Sequence, residues 1–212
     1  MRTRRNPERI SDPPVLGILV ADRYSGYGFW PDERRQFCWS HLAREFKAMV
    51  GRGGLSRRLG EQLMALTRRI FELWHQYRGG SLSRAELQVA MRPIREQVEQ
   101  LIPEGADAPE EGVCRALLPH CRCLWTFVEV EGVEPTNNLA ERQLRHGVIL
   151  RKTSFGTRSE RGSRYLERML TVVATLRQQE RDPYAYLSEA CRAHLAGRTA
   201  PSLLPTAPLP HA

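Results

Sequence analysis

The chain has 212 residues, 41% of them hydrophobic, which is enough to bury one core with a sizeable insertion and excludes a wholly disordered polypeptide. Its net charge is +8, and every basic residue except Lys47 and Lys152 is arginine. That charge suits a polyanionic partner, since guanidinium forks bind phosphate oxygens in pairs; an arginine-rich composition without functional meaning accounts for it equally well. Five cysteines scattered along the chain read as reduced thiols rather than a disulfide framework. No apolar run approaches the roughly eighteen residues of a membrane span, and the basic start MRTRRNPERI has no apolar stretch behind it. A soluble cytoplasmic protein with no membrane partner is expected.

Residues 1–14 are polar and basic and end in Pro13-Pro14, so they read as a flexible lead-in. Val15–Val20 (VLGILV) is a short apolar run of strand length and β-branched content, stopping at Ala21-Asp22. Arg35–Trp39 is a second candidate strand, and Gly26, Gly28 and Pro31 break any long helix between the two. From Leu42 the pattern turns helical. Leu59, Leu63, Leu66, Ile70, Leu73 and Tyr77 recur at alternating spacings of four and three, and the rhythm resumes after Gly79-Gly80 with Leu87, Met91, Ile94, Val98 and Leu101. Ser83-Arg-Ala-Glu86 is a capping-box sequence, so the two stripes predict an antiparallel helical hairpin, with Pro93 kinking its second arm. A shorter helix is predicted over 109–118, irregular or extended chain over 125–136, a helix over Asn137–Val148, and an amphipathic helix over Arg161–Gln179 with Tyr165, Met169, Val172, Val173 and Leu176 on one face. The tail from Gly197, with four prolines, is expected to be disordered.

Two acids stand out. Asp22 follows a buried strand and opens a turn, and the carboxyl end of a strand is where ligands bind an α/β sheet; a plain turn aspartate is the competing reading. Glu141 lies in Glu134-Pro-Thr-Asn-Asn-Leu-Ala-Glu141-Arg, where Asn138, Glu141 and Arg145 share a helix face, and where Glu141 could equally complete a capping box with Asn138. Arg142, Arg145, Arg151, Lys152, Arg158, Arg161, Arg164 and Arg168 follow closely. They are candidates for phosphate contact or simply a solvated basic face. Cys38-Trp-Ser-His41 has metal-ligand spacing and His120-Cys121-Arg-Cys123 could supply partners for zinc, although buried thiols explain the same residues.

The stretch EPTNNLAERQLRHGVILRKTSFGTRSERGSRYLERMLTVVATLRQQ, together with DRYSGY and RRQFCWSHLAREF, resembles the signature of the bacterial transposase family named for insertion sequence sixty-six. The likeness runs from about Val15 to His194. It implies an α/β, partly ribonuclease-H-like fold with a large helical insertion: strands over 15–41, the insertion over 42–124 and the remainder of the domain over 125–196. It implies a DDE enzyme of DNA cleavage and strand transfer, with Asp22 and Glu141 as the second and third catalytic, metal-binding acids. Further implications are a pair of Mg2+ or Mn2+ ions, DNA contact by Asn137, Asn138 and the basic run from Arg142 to Arg164, and DNA (transposon ends and target) as partner. A homo-oligomer or assembly with intact transposase, at the nucleoid, is also implied. The separation of 119 residues between the acids fits a helical insertion between them.

A first acid on an earlier strand is not evident, because Asp12 lies beside two prolines and Glu8 is no better placed. The expectation is therefore a fragment, truncated at its amino-terminal side and inactive by itself. Two alternatives stand beside it: a non-catalytic DNA-binding or regulatory remnant, and a metal-independent helical interaction protein in which both acids are structural.

Overall fold

A computed structural model describes residues 17–108, 111–154 and 156–205. The expected lead-in over 1–14, Val15-Leu16 and residues 206–212 of the tail lie outside them. The chain divides into two compact units, residues 1–138 and 139–212.

The first unit opens with two short strands, β1 (Leu19–Ala21) and β2 (Arg35–Phe37), paired in parallel with Leu19 opposite Arg35 and Ala21 opposite Phe37. Parallel strands need a crossover, and here it runs from Asp22 to Arg34 through two single-turn 3-10 helices at Ser25–Tyr27 and Asp32–Arg34. The open side of β2 meets residues 124–127. The buried Gln36 amide donates to Leu124 O and accepts from the Phe127 N–H, while Thr126 Oγ1 donates to Arg35 O. The Thr126 bond satisfies a β2 carbonyl, and the Gln36 amide satisfies backbone groups of residues 124 and 127 that would otherwise be buried unpaired.

Among the described residues, five helices complete this unit: α1 (Trp39–Val50), α2 (Gly54–Arg78), α3 (Arg84–Ala106), α4 (Gly112–Leu117) and α5 (Thr126–Glu129), with a 3-10 segment at Leu118–Leu124 between the last two. The predicted hairpin forms as α2 and α3. Leu59, Leu63, Ile70 and Leu73 bury one stripe, and Leu87, Met91, Ile94 and Val98 the other. Each such burial contributes about 1.5–3 kcal/mol. Gly80, at φ +75, carries the left-handed position of the turn, where Ser81 N–H reaches Gln76 O and Gly80 N–H reaches Tyr77 O. Ser83 and Glu86 form the expected capping box, and α3 continues through Pro93 and Pro103. Trp39, Trp125, Trp74 and Phe127 join the stripes to the sheet, with ring centroids 5.5 Å apart for Trp39–Trp125 and for Trp74–Phe127.

The second unit holds α7 (Glu160–Gln178) and α8 (Pro183–Leu195), preceded by α6 (Asn138–Thr153), which begins at the unit boundary. Glu180 takes a left-handed φ of +55 where α7 ends, and Arg181 N–H closes that end on Leu176 O.

Several expectations need correction. The first strand lies at Leu19–Ala21 among the described residues, and Val15-Leu16 of the expected run fall outside them. Trp39 opens α1 instead of closing β2, since its ring fills the core and its Nε1–H reaches Leu124 O. Residues 126–129 form one helical turn, not extended chain. α6 runs on to Thr153 and buries none of its residues, and the α7 stripe is buried only at Leu176, with Tyr165 exposed. α8 was not foreseen. The tail expected to be disordered is held over 201–203, where Tyr186 Oη donates to Pro201 O, Arg181 to Ser202 O and Gln179 to Leu203 O. The described residues are thus helix-rich with a two-stranded sheet.

Candidate functional site

The end of β1 delivers Asp22 to the rim of a cleft of about 690 Å³. Ala21 is the last paired residue of the strand, so the next side chain leaves the sheet where the crossover departs. The Asp22 Oδ1 accepts the Tyr24 N–H at 3.2 Å, which tightens the turn and fixes the carboxylate. The carboxylate is half-buried and has no basic partner among the described residues. The cleft is closed by β2 and α1: Arg35, Phe37, His41 and Glu45 line it with Arg23 and His120. Arg23 pairs with Glu45 and so binds the crossover to α1.

Glu141 sits in the first turn of α6, half-buried. A carboxylate there is favoured by the unpaired N–H groups of the helix start. Asn137 directly precedes the helix, so the helix begins one residue earlier than a capping role for Asn138 requires. Asn138 Nδ2 instead donates to Ser40 Oγ at 3.2 Å. Asn137 Oδ1 is buried with no hydrogen-bond partner among the described residues.

Arg142, Arg145, Arg151, Lys152, Arg158 and Arg161 are all exposed, and none forms an ion pair among the described residues. Arg164 differs, because it is engaged by Glu160 one turn earlier at 2.5 Å. Asp22 belongs to the first unit and Glu141 to the second.

Of the two readings left open for Cys38, His41 and residues 120–123, the structure gathers a different set of possible donors. Among the described residues, the side chains whose donor atoms lie within 4.8 Å of one another are Asp32, His120 and Cys123; Cys38 and His41 are not among them. Asp32 Oδ2 meets His120 Nδ1 at 2.6 Å, and its other oxygen pairs with Arg35. Burial alone would raise the Asp32 carboxyl, but hydrogen bonds from His120 and Arg35 and their charges outweigh it and hold it below 3.8. Burial pushes the Cys123 thiol up to about 12 and the Cys114 thiol to about 11. Asp32 escaped sequence reading because it is 88 residues from His120 and sits among ordinary turn residues.

The model of the family described as Transposase IS66 matches residues 1–165. The chain belongs to that transposase family. It is also 28% identical over 194 residues to a protein from Sinorhizobium fredii named Uncharacterized protein y4qI, an alignment covering 82% of this chain and 35% of that one. The chain therefore spans about a third of the length of the curated relative it matches. No solved structure matches it. No helix among the described residues is long and apolar enough to cross a membrane.

Proposed function

We propose that this chain is part of the catalytic region of a ribonuclease-H-like DDE transposase, with Asp22 and Glu141 as two carboxylates of one metal-dependent phosphoryl-transfer site. The observation that carries the reading is Asp22 itself: a carboxylate without a cationic partner among the described residues, at the carboxyl end of a parallel strand and on the rim of a cleft, in a chain of a transposase family.

The donor chemistry fits a hard divalent cation such as Mg2+ or Mn2+, which favours carboxylate oxygens and keeps several waters. Bound metal would lower the pKa of an attacking water and offset charge on the leaving oxygen. Asp22 and Glu141 would hold the ions, and the Tyr24 N–H steadies the Asp22 carboxylate at the rim of the cleft. Arg142, Arg145, Arg151, Lys152, Arg158 and Arg161 grip the phosphates of the DNA, fixing its register without reading bases. Arg164 contributes less, since Glu160 already neutralises it. Asn137 and Asn138 stand at the start of the glutamate helix, beside the carboxylate assigned to the site.

A double-mutant cycle on Mn2+ binding to the full chain tests the shared site. Asp22→Asn and Glu141→Gln should each weaken binding at least about tenfold, and the double variant should lose much less than the sum of the two. Fully additive losses would mean two unrelated carboxylates and would end the shared-site reading.

A further inference from the structure

We propose that Asp32, His120 and Cys123 form a site for one zinc-like dication, separate from the site assigned to Asp22 and Glu141. The inference does not rest on the proposed catalytic function. It starts from three donors of different chemistry, a carboxylate oxygen, an imidazole nitrogen and a thiol sulfur, which two distant stretches of chain bring within 4.8 Å of one another. Asp32 comes from the crossover between β1 and β2, and His120 and Cys123 come from the 3-10 segment that precedes α5.

The donor set selects the ion. A hard cation such as magnesium has little use for a thiolate or an imidazole, whereas zinc accepts oxygen, nitrogen and sulfur together. Zinc holds its donors about 2.0–2.3 Å away, a distance that side-chain rotation of Asp32 and His120 can reach from this arrangement. Cys123 is wholly buried and anchored with its Sγ 3.6 Å from Asp32 O, while Asp32 and His120 remain partly open to solvent. The ion would thus have a fixed sulfur beneath it and a water at its fourth position.

Arg35 is the competitor. Its guanidinium pairs with Asp32 and lies 3.4 Å from His120 Nδ1, so a positive charge already rests where two donors converge. Binding therefore exchanges one cation for another: the guanidinium swings out, the ion enters, and the Cys123 thiol loses its proton to solvent. Burial holds that thiol neutral at ordinary pH, and a coordinated dication reverses the balance. The consequence is a clamp. The crossover that leaves Asp22 would be tied to the segment carrying His120, and Arg35 and His120 both line the cleft beside Asp22.

The test uses the full chain, freed of metal with a chelator and titrated with Co2+. One equivalent should bind and produce the near-ultraviolet charge-transfer band of a cobalt–thiolate bond, which zinc then abolishes by displacement. Cys123→Ser should remove the band with its far-ultraviolet circular dichroism unchanged, and Cys121→Ser should keep it. Asp32→Asn should weaken binding at least about tenfold, as expected for loss of one donor. Arg35→Gln should tighten it. The proposal is overturned if no charge-transfer band forms, if the band survives Cys123→Ser, or if it disappears in Cys121→Ser instead.

Discussion

Glu86 shows how one exposed side chain sets an acid limit on a helix. Its Oε2 accepts both the Ser83 hydroxyl and the Ser83 backbone N–H at 2.7 Å, and the Ser83 oxygen in turn accepts the Glu86 N–H at 3.3 Å. The side-chain bond from Ser83, followed by the backbone one, lowers the carboxyl below its ordinary value of 4.5. A depressed carboxyl contributes stability that is fully present above 4.5 and is lost as pH falls through the lower folded value. Glu86→Gln keeps an acceptor but cannot titrate. Urea midpoints of the two proteins should therefore differ more at neutral pH than near about pH 3, with the wild type falling toward the variant in acid. Equal differences at both pH values would show that the carboxylate's charge has no part in the cap. Ser83→Ala, by comparison, should cost about 0.5–2 kcal/mol at neutral pH.

Between elements, α2 packs backbone to backbone against α1 at Gly60. A Cβ at Gly60 would lie 2.8 Å from Phe46 O, 2.8 Å from Val50 N and 2.9 Å from Met49 Cβ, all of them parts of α1 that cannot rotate away. Gly60→Ala gains about 1 kcal/mol of helix propensity but must push the helices apart, at about 1–3 kcal/mol. A net loss of up to about 2 kcal/mol is expected in denaturant unfolding. Gly112→Ala is the control, because a Cβ there meets nothing within 4 Å, and it should be neutral or slightly stabilising. The same scale shows what the sequence could reveal. The α2 and α3 stripes are legible because long helices repeat their buried positions many times, and Ser83–Glu86 marks a start with two residues of definite chemistry. The start of α1 was not legible, since Phe37, Cys38 and Trp39 read as a continuing apolar strand until the Trp39 indole is seen bonded to Leu124 O. α8 was missed because its only buried residue is Ala193, too small to make a stripe. The signal was there in Asp182-Pro183, a capping aspartate that accepts the Tyr184 N–H at 2.8 Å, followed by proline in the first turn. Asp22 was legible as a strand-end acid, whereas the convergence of Asp32 with His120 and Cys123 was not, because nothing local marks contacts 88 and 91 residues apart.

For the whole molecule, the +8 charge becomes meaningful once its unpaired part is located. Many arginines of the first unit are spent on carboxylates, such as Arg57 with Glu61, Arg58 with Glu104 and Arg95 with Glu99 and Glu129. Among the described residues, the six exposed cations from Arg142 to Arg161 are not. If all six meet phosphates, log affinity for duplex DNA should fall with log salt at a slope of about −5, or about a thousandfold between about 50 and 200 mM. Anisotropy with two unrelated duplexes would measure both the slope and the lack of sequence preference. An affinity indifferent to salt would remove the phosphate-binding role from this run.

Binding is not cleavage, and the two should separate in this chain. In-line displacement at phosphorus by a two-ion site relies on the ions being held about 3.5–4 Å apart, with charge neutralised at both the attacking and the leaving oxygen. The proposed site draws two carboxylates from this chain, Asp22 and Glu141, where the DDE chemistry implied by the family resemblance calls for three. Removing a charge-stabilising group from a preorganised site typically costs two to three orders of magnitude, so two acids should give no turnover above background. We therefore expect the purified 212-residue chain, with Mg2+ or Mn2+, to bind an end-labelled transposon-end duplex without nicking or joining it. Supplying a polypeptide that carries a further acid, fused or in trans, should restore cleavage, and Glu141→Gln should abolish the restored activity. Robust metal-dependent nicking by the chain alone, lost in Glu141→Gln, would show instead that a third ligand is already present in this sequence, with Asp12 the first residue to substitute.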